Sequence, residues 1–251
     1  MTASLIGKVI WVTGAGKGLG RAIATSVVAE GATVVATARS ESDLANLQAE
    51  HPHSTVIVAS GSVTSEADID RIIGGLPDSG ITGLHGLVNC AGISPSFVRS
   101  ERLDVSTFRD ILDTNAVGTF ICTRAAAGLM LQQPGGGSIV NISSVHAQAG
   151  YPRIAAYAAS KGAVAALTAT LAVEWADRGV RVNTVAPGYF RTDLSKGLLD
   201  SKRGDDVLAR IPMRRVGRPE ELVRAVTYLL SDDAAYTTGT TISVDGGWQA
   251  W

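Results

Sequence analysis

Seven short runs of apolar, mostly β-branched residues recur along the chain, and the segments between them are long enough to form helices. Strands that are apolar throughout and alternate with helices are typical of a parallel sheet covered on both faces. Helical periodicity is clear in 103–131, 155–178 and 219–230. The predicted strands are 8–12, 33–38, 55–60, 84–90, 137–143, 180–186 and 240–244. We therefore predict an α/β fold in which 1–251 forms a single domain around a doubly wound parallel sheet of about seven strands.

The nine residues TGAGKGLGR, 13–21, follow the first predicted strand and contain four glycines. In this position Gly14 lets the chain turn out of the strand, Gly18 lets the backbone approach a pyrophosphate, and Gly20 lets the next helix pack closely. The amides and dipole at that helix's N-terminus attract phosphates. The spacing is Gly-x3-Gly-x-Gly, and Lys17 is followed by glycine where a P-loop requires Ser or Thr. The segment predicts a Rossmann-like dinucleotide site.

The end of the second predicted strand decides which dinucleotide is held, because an acid there binds both ribose hydroxyls whereas a base pairs with a 2′-phosphate. Ala38 stands at the position of the acid, and Arg39 follows it. Lys17 offers a second positive charge to the same phosphate, and Ser40 adds a hydroxyl donor. We therefore predict NADP(H) as the cofactor, and Glu41 is the nearby residue that could reverse this preference.

Three side chains predict proton-transfer chemistry. Tyr157 and Lys161 are four residues apart in a predicted helix and so share one face. A nearby ammonium favours the phenolate and draws the pKa of a phenol down from about 10. Ser144 ends an apolar strand, at the edge where ligands bind to parallel sheets, and can hold a carbonyl oxygen on which charge grows.

These segments together resemble the short-chain dehydrogenase/reductase family, in order and spacing across nearly the whole chain. The resemblance implies that Tyr157 is the acid/base, that Lys161 lowers its pKa and binds the nicotinamide ribose, and that Ser144 orients the carbonyl. It implies that Asn115 holds a water for proton relay and that Thr192 contacts the carboxamide. The positions that carry the resemblance are Gly14, Gly18, Gly20, Asn89, Cys90, Ala91, Gly92, Asn115, Ser144, Tyr157, Lys161, Pro187, Gly188 and Thr192.

The resemblance also extends the expected cofactor and substrate contacts. Ser62 stands where family members often have an Asp that touches adenine, and Cys90 replaces the second Asn of the usual NNAG. The further expected cofactor contacts are Leu19, Ser62, Val63, Asn89, Ala91, Gly92, Pro187 and Gly188. The expected substrate contacts are Ser144, His146, Tyr151, Tyr157 and Tyr189.

Several substrate classes remain open from the sequence. Parts of the chain look like NADPH-dependent carbonyl and xylulose reductases, and 181–194 looks equally like polyol and gluconate dehydrogenases. The favoured function is therefore hydride transfer to a small ketone or ketose, or from the matching alcohol or polyol. The alternative is a 3-oxoacyl-[acyl-carrier-protein] reductase, with Arg102, Arg109 or Arg153 as a basic entrance. A remote alternative is a non-catalytic NADPH sensor.

Composition excludes other partners. A net charge of −1 argues against nucleic acid and anionic membranes, and the four histidines have no metal-ligand spacing. The apolar stretch 163–173 is too short to span a membrane, and no leader precedes the first strand, so we expect a cytoplasmic protein. The resemblance implies a homotetramer, a dimer of dimers, and we expect Trp248 and Trp251 at a subunit contact.

Overall fold

The computed structural model describes residues 5–94 and 97–250, so the contact expected of Trp251 lies outside the described residues. Within them, seven parallel strands form one sheet in the order β3-β2-β1-β4-β5-β6-β7. The strands are β1 (Val9–Thr13), β2 (Thr33–Thr37), β3 (Val56–Val58), β4 (Gly86–Asn89), β5 (Gly137–Ile142), β6 (Val180–Pro187) and β7 (Thr241–Val244). The predicted doubly wound fold is confirmed. Both ends of each strand lie within two residues of the predicted ends.

The strand order reverses between β1 and β4, which pair side by side through the register of Thr13 with Asn89. From this point the chain winds outward in both directions. In open α/β sheets ligands bind beyond the carboxyl ends of the strands at such a switch point. The glycine-rich segment leaves β1 at this end of the sheet, and this places it at the crevice.

Helices cover the sheet on both sides. They are α1 (Gly18–Ala29), α2 (Glu41–Ala49), α3 (Glu66–Gly74), α4 (Val105–Leu112), α5 (Gly118–Met130), α6 (Ala155–Trp175), α7 (Asp193–Leu199), α8 (Gly204–Arg210) and α9 (Pro219–Leu230). One buried apolar cluster joins the sheet to α1, α2 and α9, and a second joins its other face to α3, α5 and α6. Neighbouring residues of β1 point to different clusters, Ile10 to the first and Trp11 to the second, as the pleat requires.

The segment 103–131, expected as one helical stretch, contains a break in its middle. A five-residue π turn, Asp113–Val117, separates α4 from α5. Such turns insert a residue into a helix and occur frequently at functional sites. Asn115 lies inside this turn and is fully buried.

Helix α6 is longer than the apolar stretch 163–173 suggested, and by length and composition it could cross a membrane. Its inner face, however, carries polar side chains bound to the sheet. Thr168 is buried and accepts hydrogen bonds from Asn141 and Thr184, each at 2.9 Å. Lys161 is buried on the same helix. These contacts are those of a helix packed against the sheet.

Gly20 is the glycine with least room in the cofactor loop. A Cβ added there would lie 2.2 Å from the carbonyl oxygen of Gly14. We expect Gly20→Ala to destabilise the protein by about 1–3 kcal/mol and to weaken NADPH binding, because the loop has to move. Denaturant unfolding and fluorescence titration measure both. The control is Gly74→Ala, whose Cβ would meet nothing within 4 Å. Equal effects of the two variants would contradict the tight fit of the loop.

Candidate active site

A cavity of about 580 Å³ opens at the carboxyl ends of the central strands. Most of the residues expected to bind cofactor or substrate line it. They are Gly14, Lys17, Gly18, Leu19, Gly20, Arg39, Ser40, Ser62, Val63, Ala91, Gly92, Ser144, His146, Tyr151, Tyr157, Lys161, Pro187, Gly188, Tyr189 and Thr192. Asn89 and Asn115 are not among the lining residues. The structure thus brings residues from all along the chain to one cavity.

The glycine loop is shaped to accept phosphate groups. Gly14 and Gly18 have φ angles of +69° and +55°, which favour glycine. Helix α1 begins at Gly18 with no side-chain cap at Lys17 and no acid in its first turn. Its first amides are therefore available to a ligand. The loop, the uncapped helix and the cavity beside them fit the pyrophosphate of a dinucleotide.

The two cations predicted to bind the 2′-phosphate differ in whether they form an ion pair. Lys17 Nζ lies 3.3 Å from Asp43 Oδ2. Arg39 is exposed and has no ion pair among the described residues. The carboxylate of Glu41 accepts a hydrogen bond from the Ser60 hydroxyl at 3.0 Å. Glu41 therefore does not neutralise Arg39, and the positive charge predicted for NADP(H) is available.

Ser62, the departure from the family pattern, is fixed by its neighbours. The Ser62 amide donates to Asp68 at 2.9 Å, and the Thr64 amide donates to the Ser62 hydroxyl at 3.3 Å. The hydrogen bond from the Ser62 amide, followed by that from Arg71, holds the pKa of the Asp68 carboxyl below its usual value. The wall expected to face adenine is thus held in place without an Asp at position 62.

Ser144 and Tyr157 both line the reaction end of the cavity. The Ser144 hydroxyl accepts from the His146 amide at 3.1 Å, which leaves its own proton for Tyr157 or for a substrate oxygen. Burial raises the pKa of Tyr157, and the hydrogen bond with Ser144 opposes that rise. The two hydroxyls converge as a pair that can bind one carbonyl oxygen.

Lys161 is buried next to this pair. Its Nζ donates to the Ile142 carbonyl at 2.8 Å and lies 5.8 Å from the centre of the Tyr157 ring. Burial lowers the pKa of Lys161 to about 8. Burial is the largest influence on the pKa of the Tyr157 phenol and raises it, so the lowering expected from Lys161 stays a prediction.

Asn115 and Asn89 have structural contacts instead of lining the cavity. The Asn115 side chain accepts from the Ile93 amide at 2.8 Å and donates to the Ile93 carbonyl and the Ser160 hydroxyl, each at 3.0 Å. Asn89 donates to Thr123 of α5 and to Asn141 of β5, each at 2.8 Å. Asn115 thereby ties the strand-end loop to α6, and its expected relay water stays a prediction. Asn89 does not line the cavity, and the cofactor contact expected of it stays a prediction.

The expected substrate wall forms around His146. The Ala149 carbonyl lies 3.1 Å from Nδ1, and since a carbonyl only accepts, Nδ1 carries a proton. Nε2 lies 3.0 Å from the Tyr189 hydroxyl. Burial lowers the pKa of His146 and keeps the ring neutral, so Tyr189 donates to Nε2. The Tyr189 oxygen is then left as an acceptor at the cavity.

Two further expectations concern Trp248 and Cys90. Trp248 is 1% exposed within a single chain, where it packs against Val145 and Ile211, so its burial needs no subunit contact. The expectation for this residue is therefore wrong. Burial raises the pKa of Cys90 to about 11, so its thiol stays protonated at neutral pH.

Comparison with known proteins decides the family. A family model described as Enoyl-(Acyl carrier protein) reductase matches residues 14–249, which include the glycine loop and the Ser144, Tyr157 and Lys161 site. The chain belongs to the short-chain dehydrogenase/reductase family. It is therefore an oxidoreductase of this family, and the resemblance seen in its motifs is confirmed.

Similar proteins within the family have different substrates. The chain is 40% identical to a 2-(S)-hydroxypropyl-CoM dehydrogenase of Xanthobacter autotrophicus, over 100% of both chains. It is 38% identical to a 3-oxoacyl-[acyl-carrier-protein] reductase of Vibrio cholerae, over 97% of this chain and 98% of that one. A gluconate 5-dehydrogenase from Burkholderia cenocepacia, solved with NADP and tartrate, superposes with a TM-score of 0.93 at 32% identity, over 99% and 97% of the two chains. The NADP-bound neighbours support NADP(H) as the cofactor of this chain.

Sequence reasoning missed several residues that line the cavity. They are Asp43, Ile93, Phe97, Ile154, Leu194 and Leu198. Asp43 had a usable signal, because it stands three residues after Ser40 in the pattern of a helix N-terminus. The apolar residues had none, since nothing in a loop sequence separates a residue that packs in the core from one that faces a ligand.

Proposed function

We propose that the chain is an NADP(H)-dependent reductase of a small ketone or ketose, or a dehydrogenase of the matching secondary alcohol or polyol. The observation that carries this is the convergence of Ser144, Tyr157 and Lys161 in one cavity with the uncapped glycine loop and Arg39. One end of the cavity fits a dinucleotide phosphate, and the other offers two hydroxyls to a carbonyl oxygen. No other arrangement among the described residues offers both a site for a dinucleotide phosphate and two hydroxyls for a carbonyl oxygen.

The chain's own residues supply binding and proton transfer. NADP(H), when bound, supplies or accepts the hydride. Ser144 donates a hydrogen bond to the substrate oxygen and holds it beside the Tyr157 hydroxyl. Tyr157 gives its proton to that oxygen during reduction and takes one back during oxidation. Lys161, whose pKa is about 8, is largely protonated at neutral pH and favours the phenolate when it forms.

A substrate panel tests the reaction. Purified protein with NADPH is mixed with diketones, ketoses and acetoacetyl thioesters while the nicotinamide absorbance is followed. Turnover of compounds without a thioester supports the proposed function. Turnover of the thioester alone supports the acyl-carrier reductase. NADPH binding without any turnover supports the sensor.

The second candidate is a 3-oxoacyl-[acyl-carrier-protein] reductase, which the similarity to the Vibrio cholerae enzyme favours. The basic entrance considered for it is Arg102, Arg109 and Arg153. None of these three arginines is among the residues that line the cavity. This weakens the candidate and leaves the small carbonyl compound as our choice.

Tyr189 gives a prediction about substrate preference. Its hydroxyl donates to His146, so its oxygen can accept a hydrogen bond from a substrate hydroxyl next to the carbonyl. We expect Tyr189→Phe to lower kcat/KM for hydroxyacetone relative to butanone by about fivefold, the worth of about 1 kcal/mol of hydrogen bonding. Tyr236→Phe, at a fully exposed tyrosine, is the control. An unchanged ratio in Tyr189→Phe would contradict this contact.

We also propose that the protein is a cytoplasmic homotetramer, a dimer of dimers. The outer face of α6 supports association, because it is rich in alanine and leaves Val173 85% exposed. A subunit packed on this face would cover that apolar surface. Light scattering of the purified protein tests the assembly.

A further inference from the structure

An acid lies among the groups expected to bind the 2′-phosphate. Asp43 lines the cavity together with Lys17, Arg39 and Ser40. Its Oδ2 lies 3.3 Å from Lys17 Nζ. Ser40 is tied to the backbone of Asp43, because the Ser40 hydroxyl accepts from the Asp43 amide at 3.3 Å. One of the two cations predicted to bind the phosphate is thus paired with a carboxylate.

The backbone is built to allow this approach. Asp43 belongs to the first turn of α2, whose N-cap is Ser40, and an acid there is favoured by the helix dipole. On the other side, a Cβ added at Gly16 would lie 3.1 Å from the Asp43 Cβ. The glycine loop therefore leaves room for this side chain. The Ser40 hydrogen bond, followed by Lys17, holds the pKa of Asp43 below its usual value, so it is ionised at neutral pH.

We propose that Asp43 is a specificity residue that opposes NADP(H), because the 2′-phosphate has to displace its carboxylate from Lys17. NAD(H) has no 2′-phosphate and leaves this ion pair intact. Asp43 therefore reduces the preference for NADP(H) over NAD(H) that Arg39 creates. This inference needs NADP(H) as a ligand and is independent of the substrate proposed above.

Charge and exposure set the size of the effect. A phosphate monoester carries a charge of about −2 at neutral pH and is repelled by a neighbouring carboxylate. The Lys17 side chain is 67% exposed and that of Asp43 is 23% exposed, so water and salt screen their interaction. A modest effect on affinity follows, and low ionic strength should enlarge it.

Binding titrations of one variant test the proposal. We expect Asp43→Asn to tighten NADPH binding about threefold to tenfold and to change NADH binding by less than about twofold, since an exposed pair contributes modestly. Dissociation constants come from nicotinamide fluorescence, without a substrate. The matched control is Glu41→Gln, which removes one charge from the same helical turn, where Glu41 bonds Ser60 and not Lys17. Its effect on NADPH should be smaller than that of Asp43→Asn.

Repeating Asp43→Asn in a Lys17→Met variant separates competition for Lys17 from general repulsion between the carboxylate and the phosphate. In Lys17→Met, the gain produced by Asp43→Asn should fall to that of the Glu41→Gln control. Thermal unfolding of each variant shows that the fold is kept, and Asp43→Ser serves if Asp43→Asn unfolds. Weaker NADPH binding in Asp43→Asn would overturn the proposal, because Asp43 would then be positioning Lys17 for the phosphate. An equal gain for NADPH and NADH, or an equal gain in Glu41→Gln, would overturn it as well.

Discussion

Tyr157→Phe is expected to lower kcat by about a thousandfold or more while NADPH affinity stays within about threefold. General acid/base groups contribute about 10²–10⁴ in rate, and the variant removes the hydroxyl that exchanges the proton. The ring itself, which packs beside Lys161 and lines the cavity, is retained. Single-turnover absorbance measurements give the rate, and fluorescence titration gives the affinity.

The control for Tyr157→Phe is Tyr151→Phe, the same chemical change at another residue that lines the cavity. We expect that variant to keep most of its kcat. Activity near the original level in Tyr157→Phe would remove Tyr157 from the acid/base role. Loss of both activity and NADPH binding would instead indicate that the ring shapes the cofactor site.

Arg39→Asp is expected to shift the preference from NADPH toward NADH by about 1–3 kcal/mol, which is about fivefold to 150-fold in the ratio of dissociation constants. Arg39 has no ion pair among the described residues, so its whole charge is available to the 2′-phosphate. The new carboxylate both removes that contact and repels the phosphate. Titrations with NADPH and NADH at two salt concentrations measure the shift and its screening.

Lys202→Asp makes the same change of charge at an exposed residue that does not line the cavity. It should leave the ratio of NADPH to NADH affinity unchanged. A shift of similar size in both variants would mean that the overall charge of the protein, and not a contact of Arg39, sets the preference.

The fold, the glycine loop and the shared face of Tyr157 and Lys161 were predictable from local sequence patterns, whereas much of the remaining lining was predicted from the family resemblance. Continuous apolar runs predict a buried parallel sheet, and the glycine loop after the first run marks the switch point. Tyr157 and Lys161 share a helical face, which follows from their spacing alone. Each of these inferences needs only residues that are close in sequence.

The features that sequence did not predict depend on contacts between distant segments. The pKa of Tyr157 follows from how deeply the phenol is buried, and spacing to Lys161 does not report that burial. The Lys17 and Asp43 pair joins the glycine loop to α2. Trp248 is buried by residues of its own chain, 145 and 207–211 among them, although its position near the end suggested a partner subunit.

The π turn between α4 and α5 interrupts the regular helix and thereby positions the side-chain amide of Asn115. The backbone hydrogen bonds of this wider turn have poorer geometry than those of an uninterrupted helix. In return Asn115 reaches both Ile93 and Ser160, and so couples the loop after β4 to the helix that carries Tyr157 and Lys161. We therefore expect a change that straightened 113–117 to give a more regular helix and a less active protein, so that stability and activity would make opposite demands on these five residues.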